Sequence, residues 1–259
     1  MVKYKNLSPI YQDMEWLENA ERLVFLTNNT CNLSCKYCNT GCHIPIGETS
    51  FRNKIWEYKQ EDFKQCVDTF SSKTPRIRLC GGETTLLDPD KINESIAYAK
   101  GKIKLDIISN GYNVMGINYE DLDHVYLDDH ICNSAVVKEV YEVIHDKVPT
   151  TIFYRHEHYD VEWMTEHGVK TGKTCNIFKK LPMIYNDVLF PCCSSIFFNP
   201  KLYDVMNNAG WNIYNDNLLT ASETLPNGFW DVCRTSCYGN CIEKPTDPIM
   251  QMHQTITRK

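Results

Sequence analysis

No stretch of this 259-residue chain is long and apolar enough to read as a transmembrane span, and its opening MVKYKNLSPIYQDMEW has no apolar signal core. Those two absences predict a cytoplasmic protein. A long basic run is missing as well. Lys and Arg number 27 against 33 Asp and Glu, for a net charge of −6 and a pI near 5.8. Duplex nucleic-acid binders present a basic face to phosphate, so that role is disfavoured. There is no internal repeat and no low-complexity segment, and the chain is long enough to bury a substantial core.

Cysteine is abundant, with thirteen in the chain. In a secreted protein they would form a disulfide framework. Without a secretion signal, grouped cysteines point to metal or redox chemistry. Four lie at 31–42, Cys66, Cys80 and Cys132 are isolated, and the other six fall between Cys175 and Cys241.

The stretch Thr30-Cys31-Asn32-Leu33-Ser34-Cys35-Lys36-Tyr37-Cys38 sets three thiols at C-x3-C-x2-C spacing, with an aromatic residue before the third. Thiolates this close in sequence can face one metal centre from a short loop. Three of them around a four-iron, four-sulfur cluster leave one iron without a protein ligand, open to a substrate or cofactor. The alternative is a structural zinc knuckle, with Cys42 or His43 as fourth ligand.

Strand and helix patterns alternate along the rest of the chain. After a polar lead-in with a short helix at 11–20, Leu23–Leu26 is an apolar run suited to a buried strand, and it leads directly into the cysteine loop. Phe63, Cys66, Val67 and Phe70 stand at helical spacing within 59–72. Residues 75–79 read as a strand running into Cys80-Gly81-Gly82-Glu83. Asp88-Pro89 opens a helix with Ile92, Ile96 and Ala99 on its apolar stripe and Gly101 as its terminal cap. Ile103, Leu105 and Ile107 alternate in a strand ending at Ser109-Asn110-Gly111. His124–Leu127 is a fourth strand. Ser134 caps a helix striped by Val136, Val140, Val143 and Ile144. Thr150–Tyr154 is a fifth strand, followed by a short helix from Asp160 to Gly168.

Strands alternating with helices make a parallel sheet, and five or six units predict an α/β partial barrel. Ligands of such sheets sit at the carboxyl ends of the strands. Cys31, Gly81, Ser109, Asp128 and Arg155 all fall just after expected strands, so the motifs converge on one mouth. Paired glycines at 81–82 let backbone approach a ligand closely. An ordinary turn is the competing reading of both Gly81-Gly82-Glu83 and Ser109-Asn110-Gly111.

The cysteine spacing with its aromatic residue resembles the signature of the radical S-adenosylmethionine (SAM) superfamily. That resemblance implies an open iron that binds the amino and carboxylate groups of SAM, and an electron from the cluster that cleaves SAM to a 5′-deoxyadenosyl radical. In the same light Gly81, Gly82, Glu83 and Thr84 resemble the motif holding the methionine ammonium, although Pro is common in the family where Thr84 stands. Ser109 and Asn110 resemble the polar strand end that binds the SAM ribose or carboxylate, and Tyr37 would lie beside the adenine. No G-x-I-x-G-x-x-E adenine pattern is present.

A polar, glycine-containing segment at 168–174 suggests a boundary. Residues 1–21 are then a lead-in, 22–168 the barrel, and 169–259 a small cysteine-rich domain with its tail. Between Cys175 and Cys192, residues 184–191 read as a hairpin with Asn186-Asp187 at the turn, which would bring those two cysteines together. Cys233, Cys237 and Cys241 follow. This arrangement resembles the SPASM or shorter twitch module, and implies one auxiliary four-iron cluster. Its favoured ligands are Cys175, Cys192, Cys237 and Cys241, with Cys233 competing for one place and Cys193 spare. A four-cysteine zinc site is the alternative.

Asp128, His130 and Arg155 are candidates to bind a polar substrate or take a proton, Arg155 by pairing a carboxylate of SAM or substrate. Cys132 could donate a hydrogen atom to a substrate radical, or serve as a small buried hydrophobe. The leading expectation is an oxidoreductase that dehydrogenates a small polar molecule such as an aminocyclitol, sugar or alcohol, resembling the scyllo-inosamine dehydrogenase type. It would draw electrons from a reducing partner such as flavodoxin or ferredoxin. The competing expectations are a SPASM-type maturase acting on a peptide substrate and a zinc-stabilised binding module with no activity.

Overall fold

The computed structural model describes residues 20–35, 38, 40–42, 44–48, 53–154, 182–190 and 212–214. Among these residues one seven-stranded sheet carries helices and forms an open partial barrel, the α/β architecture expected from the alternating pattern. The strands are β1 (Leu23–Leu26), β2 (Arg76–Cys80), β3 (Lys104–Ser109), β4 (His124–Asp129), β5 (Thr150–Tyr154), β6 (Met183–Tyr185) and β7 (Val188–Phe190). They lie in the order β5-β4-β3-β2-β1-β6-β7, parallel throughout except for the antiparallel β6–β7 pair.

The run LVFL is buried at all four positions because β1 is flanked on both edges, by β2 and by β6. A strand covered on both faces has no polar side to show, which is why this one reads as a continuous apolar stretch. Phe25 anchors the sheet to the first helix, α1 (Gln60–Phe70). Its ring meets Tyr58 and Phe63 edge-on at centroid separations of 5.6 and 5.2 Å. Helix α1 buries the predicted Phe63, Cys66, Val67 and Phe70.

Helix α2 (Pro89–Ala99) begins and ends as its sequence signals indicate. The Asp88 carboxylate accepts the Asp90 N–H at 3.0 Å, Pro89 occupies the first turn, and Gly101 follows the last turn at φ +77°. Ile92, Ile96 and Ala99 are its buried stripe.

Two local expectations are corrected. Helix α3 (Ser134–Ile144) buries Val137, Val140 and Ile144, while Val136 and Val143 are 44% and 43% exposed. Both sets satisfy helical spacing, and the chain leaving β4 decides between them. The first helical residue is Ser134, whose hydroxyl bonds the Asp129 carboxylate, and Asn133 stands at the cap. Removing two methyls from a buried valine costs about 2 kcal/mol. Val140→Ala is therefore expected to lower the urea midpoint by that equivalent, and Val143→Ala to leave it within about 0.5 kcal/mol of wild type.

The other correction concerns the hairpin. It forms at 183–190, with Asn186 at φ +56° in its turn, but it extends the barrel sheet. Met183 and Ile184 pair with Val24 and Phe25, and Val24 donates its N–H to the Pro182 carbonyl at 2.8 Å. Cys175 and Cys192 lie outside the described residues, as do the short helices expected at 11–20 and 160–168.

Candidate active site

Beyond β1 the chain continues as Thr27-Asn28-Asn29-Thr30, polar in sequence yet with its first three residues almost wholly buried. Each polar group is matched. Thr27 donates its N–H to the Cys80 carbonyl at 2.7 Å and accepts the Tyr58 N–H at 2.7 Å. Asn29 accepts the Trp56 N–H at 2.9 Å and donates from its side chain to the Lys54 carbonyl at 2.9 Å. Held from both sides, this segment fixes where the cysteine loop begins.

The Gly81-Gly82-Glu83 turn packs directly on it. The Gly82 N–H is shared between the Asn28 carbonyl and side-chain oxygen, both at 3.0 Å, and the Glu83 N–H reaches the Thr30 carbonyl at 2.7 Å. A Cβ on Gly82 would stand 1.8 Å from the Thr30 carbonyl oxygen, and one on Gly81 would stand 2.5 Å from the Asn28 side-chain oxygen. The close approach that requires these glycines is therefore to the chain itself, one residue before Cys31. Thr84 is fully buried, its hydroxyl 2.9 Å from that of Thr27.

Glu83 is a buried hub. One carboxylate oxygen accepts from the Thr85 N–H at 3.1 Å, the Thr85 hydroxyl at 2.7 Å and the Ser109 hydroxyl at 2.8 Å, and the other accepts from the Asn110 N–H at 2.7 Å. Burial pushes this carboxyl above the ordinary glutamate range, against the pull of those four donors. Glu83 thus ties the end of β2 to the end of β3. Asn110 completes the circuit, donating from its side chain to Asn32 at 2.8 Å and standing 3.6 Å from the Cys31 sulfur.

The three thiols at Cys31, Cys35 and Cys38 are all half-buried at this mouth. Burial pushes Cys31 up to about 12, Glu83, Cys38 and Cys35 add to the rise, and the Leu33 N–H at 3.3 Å opposes it. A thiol such as Cys31 that resists ionisation by itself, within electrostatic reach of two others, is suited to a cationic centre, which deprotonates its ligands. Cys38 has further company. The Thr40 hydroxyl lies 2.9 Å and the Cys42 N–H 3.5 Å from its sulfur. Among the described residues no three His, Cys, Asp or Glu side chains meet the geometry for holding a single metal ion. Three cysteines on one short loop are the donor set that a four-iron cluster takes when one iron is left open.

Asp128 lies within β4, not after it, because that strand runs two residues further than its apolar core. Parallel pairing sets Asp128 beside Phe153 on the concave face. His130 follows the strand, its N–H bonded to the Asn133 side chain at 2.7 Å. Cys132 is exposed, so the buried-hydrophobe reading does not hold. Ile131 adopts φ +67°, an unfavourable conformation for a β-branched residue, in the same loop. Asn133 spans that loop, donating to the Asp128 carbonyl at 2.9 Å and to the Asn110 carbonyl at 2.6 Å. Arg155, Tyr37, Cys175, Cys192, Cys193, Cys233, Cys237 and Cys241 lie outside the described residues.

Thr27, Asn28 and Asn133 were not singled out from sequence. The one available signal was the polar run between an apolar strand and the cysteine triplet.

Residues 25–131 match the family model of the Radical SAM superfamily. No curated protein matches the chain. Among solved structures, BtrN in complex with AdoMet and 2-DOIA aligns over 81% of this chain and 88% of its own, at 14% identity and a TM-score of 0.53. Native anSMEcpe with bound AdoMet and Cp18Cys peptide aligns over 50% and 41%, at 17% identity and a TM-score of 0.36. A histidine-tagged anSMEcpe with bound AdoMet aligns over 64% and 52%, at 15% identity and a TM-score of 0.40.

Proposed function

We propose that the chain is a radical SAM enzyme that reductively cleaves S-adenosylmethionine and abstracts a hydrogen atom from a small polar substrate, such as an aminocyclitol, sugar or alcohol, in a two-electron oxidation. The observation that carries the reading is the junction at the mouth. A C-x3-C-x2-C loop, a Gly-Gly-Glu turn and a Ser-Asn strand end, far apart in sequence, are hydrogen-bonded into one unit within the segment that matches the Radical SAM family model. The AdoMet bound in the similarly folded BtrN structure is consistent with it.

In this reading Cys31, Cys35 and Cys38 hold a four-iron cluster, which when bound supplies the electron for SAM cleavage. Gly81, Gly82, Glu83 and Thr84 shape the wall on which the methionine end rests, Ser109 and Asn110 offer polar groups to it, and Tyr37 flanks the adenine. Asp128 and His130 are the candidates to take the proton of a substrate hydroxyl. Arg155 pairs a carboxylate, and Cys132, in the same loop as His130, is the candidate to donate a hydrogen atom to a substrate radical. The late cysteines, Cys175, Cys192, Cys237 and Cys241 with Cys233 in competition, hold an auxiliary cluster. A reducing partner such as flavodoxin or ferredoxin supplies electrons.

Iron and sulfide per chain after anaerobic reconstitution test this. Wild type should hold about eight irons and a Cys31→Ala, Cys35→Ala, Cys38→Ala variant about four, as two four-iron clusters require. About four falling to none would remove the auxiliary cluster from the proposal. Zinc without iron in both proteins would overturn it.

A further inference from the structure

The concave face of the barrel carries more positive charge than it needs to hold itself together. On β2, Arg76 and Arg78 alternate with Ile77 and Leu79. The isoleucine and leucine are buried in the core, and the arginines take the other face. Asp106 pairs with Arg78 in register and is wholly buried. Its two oxygens both accept from one nitrogen of the Arg76 guanidinium, at 3.1 and 3.0 Å. Arg78 reaches Asp106 only at 3.5 Å, and its Nε is buried with no hydrogen-bond partner. Arg22, just before β1, also has a buried Nε without a partner. Its carboxylate neighbour among the described residues, Glu21, stands 3.6 Å away on an exposed side chain. Among the described residues, Arg76 and Arg78 therefore share one buried carboxylate, and Arg22 adds its charge beside Arg78.

A guanidinium withdrawn from water without a full partner is costly, and Arg stays charged under all ordinary conditions. The Arg78 side chain is 90% buried. Burial lowers its pKa first and the Arg22 charge lowers it further, so the site disfavours the cation it contains. His124 brings no negative charge. Burial, with Arg78, Arg76 and Arg22, holds its pKa below the usual histidine range against the pull of Asp106, and its Nε2 bonds the Thr151 hydroxyl at 2.9 Å.

The guanidinium is also aimed. Arg78 shares a register row with Val24 and Asp106, yet its Cζ lies 3.7 Å from the ring centroid of Tyr126, which belongs to the next row toward the mouth with Ile108 and Thr151. Tyr126 stacks on Phe153 at 5.0 Å, one further row up beside Asp128. Ile108, Tyr126, Asp128, Thr151 and Phe153 are all only half-buried, so the described residues do not pack this face shut. From the Arg78 row to Ser109 is three residues of strand, about 10 Å, the reach of a small molecule with a charged end.

We propose that Arg78, backed by Arg76 and Arg22 and stacked on Tyr126, is the anion-binding floor of the substrate chamber, so that the substrate carries a carboxylate or phosphate. The planar guanidinium fork suits either oxyanion, and the aromatic wall of Tyr126 and Phe153 covers the uncharged part of the molecule. Calling this floor the substrate's rests on the radical SAM reading, whereas the anion site itself does not.

The test is calorimetric titration of the anaerobically reconstituted chain with inorganic phosphate, acetate and chloride at matched ionic strength. Phosphate or acetate is expected to bind at one site, with chloride silent. Arg78→Lys, which keeps the charge but loses the fork, is expected to weaken binding about tenfold, and Arg78→Gln and Tyr126→Leu are expected to weaken it as well. The better of the two anions identifies the oxyanion. Should Arg78→Gln fail to fold, Arg78→Lys carries the comparison. Equal affinity in wild type and Arg78→Lys, or no binding of either anion by wild type, overturns the proposal. Formation of 5′-deoxyadenosine by the reconstituted wild type is read separately. Anion binding without it would remove the assignment to a radical SAM substrate and keep the site, and deoxyadenosine without anion binding would sink the site alone.

Discussion

Gly82→Ala is expected to destabilise the chain by roughly 4 kcal/mol and, on the proposed radical SAM reading, to abolish stable iron binding at Cys31, Cys35 and Cys38. The added methyl would stand 1.8 Å from the Thr30 carbonyl oxygen, with the Thr30 carbonyl carbon at 2.4 Å and nitrogen at 2.7 Å. Backbone on both sides leaves no flexible side chain to yield. Relief requires the turn to lift away from 28–30, which breaks the Gly82 N–H bond to Asn28 and the Glu83 N–H bond to Thr30. Each buried group left unmatched costs about 1–3 kcal/mol. Because Thr30 precedes Cys31, the displacement passes directly into the first thiol. Gly101→Ala is the informative control. Its φ of +77° is strained for alanine, but nothing lies within 4 Å of the new Cβ, so the expected cost is about 1 kcal/mol with iron content unchanged. Urea unfolding and iron analysis of both variants check this. Normal iron in Gly82→Ala would mean that the turn and the cysteine loop move independently.

The contact made by Gly82 was only partly legible in the sequence. A Gly-Gly-Glu following a strand announces a close approach, but nothing in the linear chain says to what, and the structure answers with Thr30 and Asn28, roughly fifty residues earlier. The run behind β1 announced itself because it is wholly buried, and that behind β4 because it alternates, while β5 was legible from its β-branched and aromatic residues although all five are half-buried. Helix α2 was legible at both ends because Asp88-Pro89 and Gly101 act within a turn of themselves. Helix α3 was ambiguous for a reason intrinsic to helices. Val136 and Val143 satisfy the same spacing as Val137 and Ile144, and only the strand that delivers the helix selects a face. The hairpin at 183–190 was recognisable from its turn, while its place beside β1 depends on a pairing across most of the chain. The Arg78–Asp106–Tyr126 arrangement was invisible for a similar reason. Its members sit on three neighbouring strands, and charges alternating with apolar residues in β2 look like a solvated face until the sheet curves around them.

Glu83→Gln is expected to cost roughly 2–4 kcal/mol, a large effect for the exchange of one oxygen for an NH2 group. The reason lies in which donors can move. Each carboxylate oxygen faces one backbone N–H that is fixed by the fold, Thr85 at 3.1 Å on one side and Asn110 at 2.7 Å on the other. The hydroxyls of Thr85 and Ser109 can rotate, but those two amides cannot. A glutamine presents one accepting oxygen, so its NH2 must oppose one of the fixed amides, donor against donor, in a fully buried site. The amide oxygen is expected to stay with the three donors around Thr85 and Ser109, leaving Asn110 unmatched. Asn110 also donates to Asn32 and lies beside the Cys31 sulfur, so its displacement should reach the mouth. On the proposed radical SAM reading, Glu83→Gln is accordingly expected to bind SAM more weakly once reconstituted, with iron content lowered less than in Gly82→Ala. Ser109→Ala removes only one rotatable donor from the same carboxylate and should cost about 1 kcal/mol. Urea unfolding of the three variants ranks them, and a Glu83→Gln protein as stable as wild type would mean that Glu83 is already protonated in the folded chain, with one of its oxygens donating.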